Sequence, residues 1–409
     1  MSERDELKRR SSAAIEAGRD GLLELSRRIH ATPEPAFQEF EAAGWVAAAI
    51  RAAGYDVEHP AGSLQTAVRG RLAGGRGPGP RIAILAEYDA LPGLGHGCGH
   101  NTMAVSGVGA AIGLAAVAAD LPGEIVFLGT PAEEFGSGKQ VMIDDGLFDG
   151  LDAALLFHPS DRTNVECRLL ACEDVEVVFT GHPAHAATAP WEGRNALDAM
   201  VVLLNSIALW RQQLRPDARV HGIVLEGGTA ANIIPARTVG RFMIRSTDEA
   251  WFGEMENRFR ALVEAAALAA AVDGSVAFSG RSSTMRHNRV LGDRFAANLA
   301  ARGIADSPPD PLFGSSDMGN VSQVLPTIHP HLAICEEGVP KHTTAFRDAA
   351  IRPRADEASI LAATLIAETA IDLFLEPGLV ERAWEEFRAG ASILGARPAG
   401  RQERTGGAP

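Results

Sequence analysis

Residues 81–101 read RIAILAEYDALPGLGHGCGHN, and this stretch sets the architecture. Its first six residues, RIAILA, are a short aliphatic run without polar alternation. That pattern predicts a strand buried on both faces of a parallel sheet. A glycine-rich loop follows, and a helix of small residues begins near Thr102. Two similar aliphatic runs lie downstream, EIVFLG at 124–129 and AALLF at 153–157. Upstream, residues 21–29 and 39–53 carry apolar side chains at helical spacing. Strands separated by helices predict an α/β fold, a central mostly parallel sheet flanked by helices. Ligands and chemistry then belong on the loops leaving the strands' carboxyl ends.

Beyond residue 173 the pattern changes. EDVEVVFT at 173–180 alternates as a strand with one exposed face does. A long helix (195–213), two strands (220–225 and 239–246), a second long helix (248–271) and a strand near Val276 follow. Two long helices against one alternating sheet describe a compact α+β unit, expected as an insertion over 173–284. The chain should re-enter the first domain near Met285, so that residues 1–172 and 285–395 form one body. A helix over 356–373 packs on its sheet. A mobile tail rich in Gly, Arg, Pro and Ala is expected from about 390, and over 396–409 in particular. A length of 409 residues agrees with two domains.

The net charge is −14, without a stripe of Lys and Arg. Nucleic acid and anionic membrane are therefore poor partners. The four cysteines, Cys98, Cys167, Cys172 and Cys335, are too few for a disulfide framework. The opening MSERDELKRRSS has no apolar core and no cleavage site, so no secretory signal is read there. The stretch 102–119 comes nearest to a membrane span, but its small residues suit a buried helix. A cytoplasmic protein is the expectation.

Four places carry chemistry. In GLGHGCGHN (93–101), Cys98 and His100 stand two apart, and in an extended loop both can face one point. Thiolate and imidazole there suit a transition metal. A phosphate-cradling loop is the rival reading, but it gains nothing from two histidines and a cysteine. TPAEEFG (130–136) places Glu133 and Glu134 just after a strand, where one can bind metal while the other handles protons. His158 follows the AALLF strand, and His342 lies in the loop KHTT. A lone histidine at such a place is more often structural than a ligand. Convergence of Cys, His, Glu and His at one sheet edge is harder to explain as packing.

These segments resemble the M20 metallopeptidase family, in the amidohydrolase branch that holds aminobenzoyl-glutamate hydrolases, auxin–amino acid conjugate hydrolases and related dipeptidases. The markers are AEYDALPG, GHGCGHN, TPAEEFGSG, His158, GHPAHAA, GGTAANIIP, SSDMGNVS and KHTTAF, in order along nearly the whole chain. The resemblance implies two divalent metal ions, Mn or Zn, with Cys98 bridging them and His100, Glu134, His158 and His342 as the other ligands. It makes Glu133 the general base and Asp89 the carboxylate that orients the site. His185 would reach a neighbouring subunit's site and polarise the scissile carbonyl. Asn232 and Arg245 would hold carboxylate or carbonyl groups of the substrate, with Asp317 on a substrate-side loop. The inserted unit would serve as lid and dimerisation domain. One departure is Glu87, where the wider family has a metal-binding His; His96 is unassigned.

The implied reaction is hydrolysis of an amide bond in an N-acyl or N-aroyl amino acid or a dipeptide, by a metal-bound hydroxide with Glu133 as base. Three rivals stand beside it. Cys98 could be a nucleophile with a His base, needing no metal. The same site could remove an amine from an aromatic ring by hydrolysis. An inactive binding homologue is the third.

Overall fold

The computed structural model describes residues 2–308 and 314–393. In chain order the strands are β1 (Asp56–Glu58), β2 (Val68–Ala73), β3 (Arg81–Glu87), β4 (Glu124–Thr130), β5 (Ala153–Leu155), β6 (His158–Ser160), β7 (Ala171–Thr180), β8 (Arg219–Glu226), β9 (Arg237–Ser246), β10 (Asp273–Ser282), β11 (Thr327–Ile328) and β12 (His331–Ala333). Six of them form one sheet in the order β1-β2-β4-β3-β5-β11. β4, β3, β5 and β11 run parallel, and the β1–β2 hairpin adds to β4 antiparallel. The fold is thus α/β with a mostly parallel sheet flanked by helices. β3 and β4 are buried along almost their whole length, as unalternating aliphatic strands between two helical layers must be.

The helix His100–Ala115 starts directly from the loop after β3 and is buried over nearly its whole length. Its small residues are what allow this. A Cβ at Gly107 would stand 2.6 Å from the Leu85 carbonyl oxygen, and one at Gly109 would stand 2.9 Å from Cβ of Ala363. The helix therefore lies directly between β3 and the helix Pro353–Leu375. Among the described residues that second helix, and not the stretch at 102–119, is the one long and apolar enough to cross a bilayer, yet 89% of its most apolar stretch is buried inside the fold. Its mean polarity is low because protein covers it on all sides.

The other large sheet is fully antiparallel, in the order β10-β7-β9-β8, and is built entirely from residues 171–282. The helices Ala196–Trp210 and Glu249–Ala270 cover one face. Phe179, Leu203, Phe242, Phe259 and Val263 form their shared core, separate from the core of the first sheet. Along β7 buried and accessible residues alternate, the mark of a sheet covered on one side only. Near the end of the chain, the helix Leu379–Ile393 corrects the expectation of a tail from 390; the tail expected over 396–409 lies outside the described residues.

Candidate metal centre

The site sits where the parallel strands end. β3 stops at Glu87, and two residues further Asp89 turns inward, 1% exposed. Its Oδ1 accepts a hydrogen bond from Nδ1 of His100 at 2.9 Å, and its Oδ2 accepts the Glu134 backbone N–H at 3.0 Å. One carboxylate thereby sets both the imidazole and the glutamate loop. A carboxylate can only accept, so Nδ1 of His100 carries the hydrogen and Nε2 faces the carboxylates of Glu87, Glu133 and Glu134. His158 follows the same logic: Nδ1 lies 2.6 Å from the Pro159 carbonyl oxygen, and Nε2 stands 3.5 Å from Sγ of Cys98. Tying one ring nitrogen to a carboxylate or carbonyl is the usual way of aiming the other at a metal.

The loops that bring the remaining groups are strained. Ala132, Ser137 and His342 all have positive φ, at 60°, 52° and 60°. Non-glycine residues in this region persist only where their surroundings over-determine them, and they gather at functional sites. Ala132 is held by a hydrogen bond from its N–H to Oε1 of Glu39 at 2.8 Å. His342 is held by its N–H, which donates to the Gly97 carbonyl oxygen at 2.9 Å and ties its loop to that of Cys98. Gly99 between Cys98 and His100 has φ 81°, and a Cβ there would meet Pro159 at 2.8 Å.

The result is two sets of donor atoms that share one sulfur. Cys98, His100 and His158 form one, and Cys98, Glu134 and His342 the other, with the donor atoms of each set within 4.8 Å of one another. Nε2 of His342 stands 3.5 Å from Oε2 of Glu134. Such separations suit atoms that each lie about 2.0–2.3 Å from a shared ion. Nε2 of His100 and Oε1 of Glu134 are buried without a hydrogen-bond partner. A donor set of thiolate, imidazole and carboxylate with orphaned, inward-facing atoms fits a transition metal ion.

The electrostatics point the same way. Burial, together with Glu87 and Glu134, pushes the proton affinity of Glu133 well above the usual carboxylate range. Burial raises Glu134 to about 7. Burial and Glu134 push the Cys98 thiol up to about 12. Burial opposes charge on His100, but Asp89 and Cys98 outweigh it and draw a proton to the ring. These four groups are pushed towards taking up positive charge, which is what a divalent ion supplies, whereas burial holds His158 and His342 as neutral rings, the form in which imidazole binds a metal.

Residues 83–364 match the model of peptidase family M20/M25/M40. The chain belongs to this family. It is 36% identical over 403 residues to a Mus musculus protein named Xaa-Arg dipeptidase, covering 93% of this chain and 92% of that one. It is 29% identical to a p-aminobenzoyl-glutamate hydrolase chain of Escherichia coli strain K12, covering 92% and 93%. Its fold matches a crystal structure described as a dinuclear metal-binding peptidase of the M20 family from Bacillus subtilis, with a TM-score of 0.66, 21% identity, and coverage of 88% and 99%. The protein is accordingly a metal-dependent hydrolase of the M20 family.

Within this M20 hydrolase the expected site residues fall into two groups. Cys98, His100, Glu133, Glu134, His158, His342 and Asp89 lie together at the end of the parallel sheet. His185, Asn232 and Arg245 lie on the antiparallel sheet's domain, and among the described residues no hydrogen bond or ion pair joins them to the first group. Nδ1 of His185 accepts the N–H groups of Ala187 and Thr188, at 3.2 and 3.3 Å. Among the described residues the Arg245 guanidinium has its hydrogen bonds to Sδ of Met243 alone, at 2.8 Å from Nη2. Asp317 is fully buried with both oxygens on Lys139, at 2.6 Å from Nζ and 2.9 Å from the backbone nitrogen. It braces the fold beside the centre and is not turned towards a ligand. His96 stacks on His30 and contacts the Ile29 carbonyl, outside every donor set.

Sequence reasoning missed Lys139 altogether, because nothing in GSGK marks a lysine that will be buried. It also missed His329 and His331, whose rings stand 5.3 and 5.4 Å from that of His158. The signal was available: HPH (329–331) directly follows β11, the strand beside β5.

Proposed function

We propose that this M20 hydrolase cleaves the amide bond of dipeptides or N-acyl amino acids at a centre of two divalent ions, Mn or Zn. Cys98 would bridge them, with His100 and His158 on one side and Glu134 and His342 on the other. The observation that carries this reading is the single Cys98 sulfur shared by two donor sets. Bound ions in such a centre supply Lewis acidity towards water and the scissile carbonyl.

The chain's own residues then divide the work. The Glu133 side chain is 7% exposed, with Oε2 3.9 Å from Nε2 of His100. It takes one proton from the attacking water as the oxygen joins the carbonyl carbon. When the C–N bond breaks, Glu133 returns that proton to the departing nitrogen. Asp89 keeps His100 and the Glu134 loop in register throughout. His185, from the lid of a partner copy, would donate to the developing oxyanion. Arg245 and Asn232 would hold the substrate's carboxylate and carbonyl. This division needs a homodimer, for which the inserted domain would be the contact; the substrate would be a small molecule and the setting the cytoplasm.

The name of the mouse relative puts Xaa-Arg dipeptides first, and that of the Escherichia coli relative puts p-aminobenzoyl-glutamate second. The test is free-amine release from a panel holding both, other dipeptides and N-acyl amino acids, with protein reloaded separately with Mn and Zn. Release that a chelator stops and metal restores is the expected result, and the responsive class names the substrate. No release from any member with either metal would sink the proposal.

A further inference from the structure

One buried ion cluster at the centre has no role in the assignments above. Lys139 is fully buried, with Nζ 2.6 Å from Oδ1 of Asp317 and 2.6 Å from Oε1 of Glu87. Only three of the chain's 38 basic residues are lysines, and this one fits a compact ammonium between two carboxylates where a planar guanidinium would not. Lys139 also joins three segments. Glu87 ends β3, Lys139 is the second residue of the short helix Gly138–Asp144 after the Glu133–Glu134 loop, and Asp317 lies on the return from the inserted domain.

The pairing leaves one Glu87 oxygen over. Oε2 is turned to Nε2 of His100 at 3.4 Å, and neither atom has a hydrogen-bond partner although both are buried. With Nδ1 giving its hydrogen to Asp89, Nε2 of the ring and the Glu87 carboxylate share a dry gap that calls for positive charge, either a proton on the ring or a metal ion in its place. Oε2 of Glu133 faces the same nitrogen at 3.9 Å, and Glu87, His100 and Glu133 together make a third compact donor set.

We propose that Glu87 is a further ligand, through Oε2, of the ion held by His100, and that Lys139, braced by Asp317, fixes its orientation through Oε1. The proposal rests on the metal-centre reading above. Its test is binding and not turnover: the stoichiometry and affinity of Mn and Co for the metal-free full chain, with the visible spectrum of the Co form. The wild type should bind two ions, and binding of none would overturn both readings. Glu87→Gln keeps the shape but turns an amide to His100. It should bind one ion as the wild type does and the second at least about tenfold more weakly, with altered Co absorption. Lys139→Met should weaken the same ion by a smaller factor. If Glu87→Gln does not fold, Glu87→Asp, one methylene too short to reach, should show the same selective loss. Two ions bound by folded Glu87→Gln or Glu87→Asp within threefold of wild type, with an unchanged Co spectrum, would overturn this inference alone.

Discussion

The two large sheets of this protein treat their polar residues in opposite ways. At the end of the parallel sheet, Cys98, His100, Glu133, Glu134 and His158 are nearly or wholly buried, and each is aimed by a hydrogen bond, a strained loop or an ion pair. On the antiparallel sheet, His185 and Asn232 are exposed, and Arg245 has no carboxylate partner among the described residues. The first region is preorganised: its geometry exists before any substrate arrives. The second carries no such fixed contacts among the described residues, and the proposed function has a ligand and a partner copy complete it. Chemistry that depends on fixed donors belongs to the first, and recognition completed on binding belongs to the second.

Mutations should separate the regions by size and by kind of effect. Glu133→Gln should lower kcat by about 10²–10⁴-fold while both ions remain by elemental analysis; a kcat near wild type would remove Glu133 as the base. His185→Ala should come next, with a loss of about 10²–10³ in kcat and unchanged metal content and melting temperature. If it leaves kcat intact, the lid takes no part in the reaction and the contrast collapses. Arg245→Ala should act mainly on KM, raising it on the order of tenfold, because a charge-assisted hydrogen bond to the substrate would be lost. An equal fall in kcat would place Arg245 among the groups that act on the transition state.

The smallest expected effect lies at the junction between the sheets. Burial, reinforced by a hydrogen bond and repulsion from Glu256, raises Glu173 at the start of β7 from 4.5 to about 8. Between those values the folded chain holds a proton that the unfolded chain has released, so this residue makes stability fall as pH rises from about 4.5 to about 8. Glu173→Gln should remove that slope and raise the melting temperature by a few degrees above pH 8. Melting curves across the window check it. A slope unchanged from wild type would mean that Glu173 is ionised in the folded chain, with Arg281 as its counter-ion.

Much of this arrangement was legible in the order of the residues. RIAILA, EIVFLG and AALLF are aliphatic without alternation, so both their faces had to be covered, and a parallel sheet with helices on each side follows. EDVEVVFT alternates, so one of its faces had to be open. Cys98, His100, Glu134 and His158 follow strands of the first kind, and the strands' shared direction brings them to one edge. His342 was legible only through its resemblance to the family motif, since a loop histidine carries no period.

The rest depended on which distant segments meet. Composition cannot reveal that Lys139 is buried, because a lysine is normally a surface residue. Only the return of the chain at Asp317 and the end of β3 at Glu87 supply the two carboxylates that make its burial tolerable. The same holds for Asp317, whose motif suggested a substrate-side role and whose neighbour gives it a structural one. The sequence by itself determined the two sheets, their layering and the chemical kinds of ligand, because local periodicity and strand direction carry that information. Tertiary structure alone decided which charges are paired and which donor atoms are left facing one another, because burial and Coulomb energy depend on distances between residues far apart in the chain.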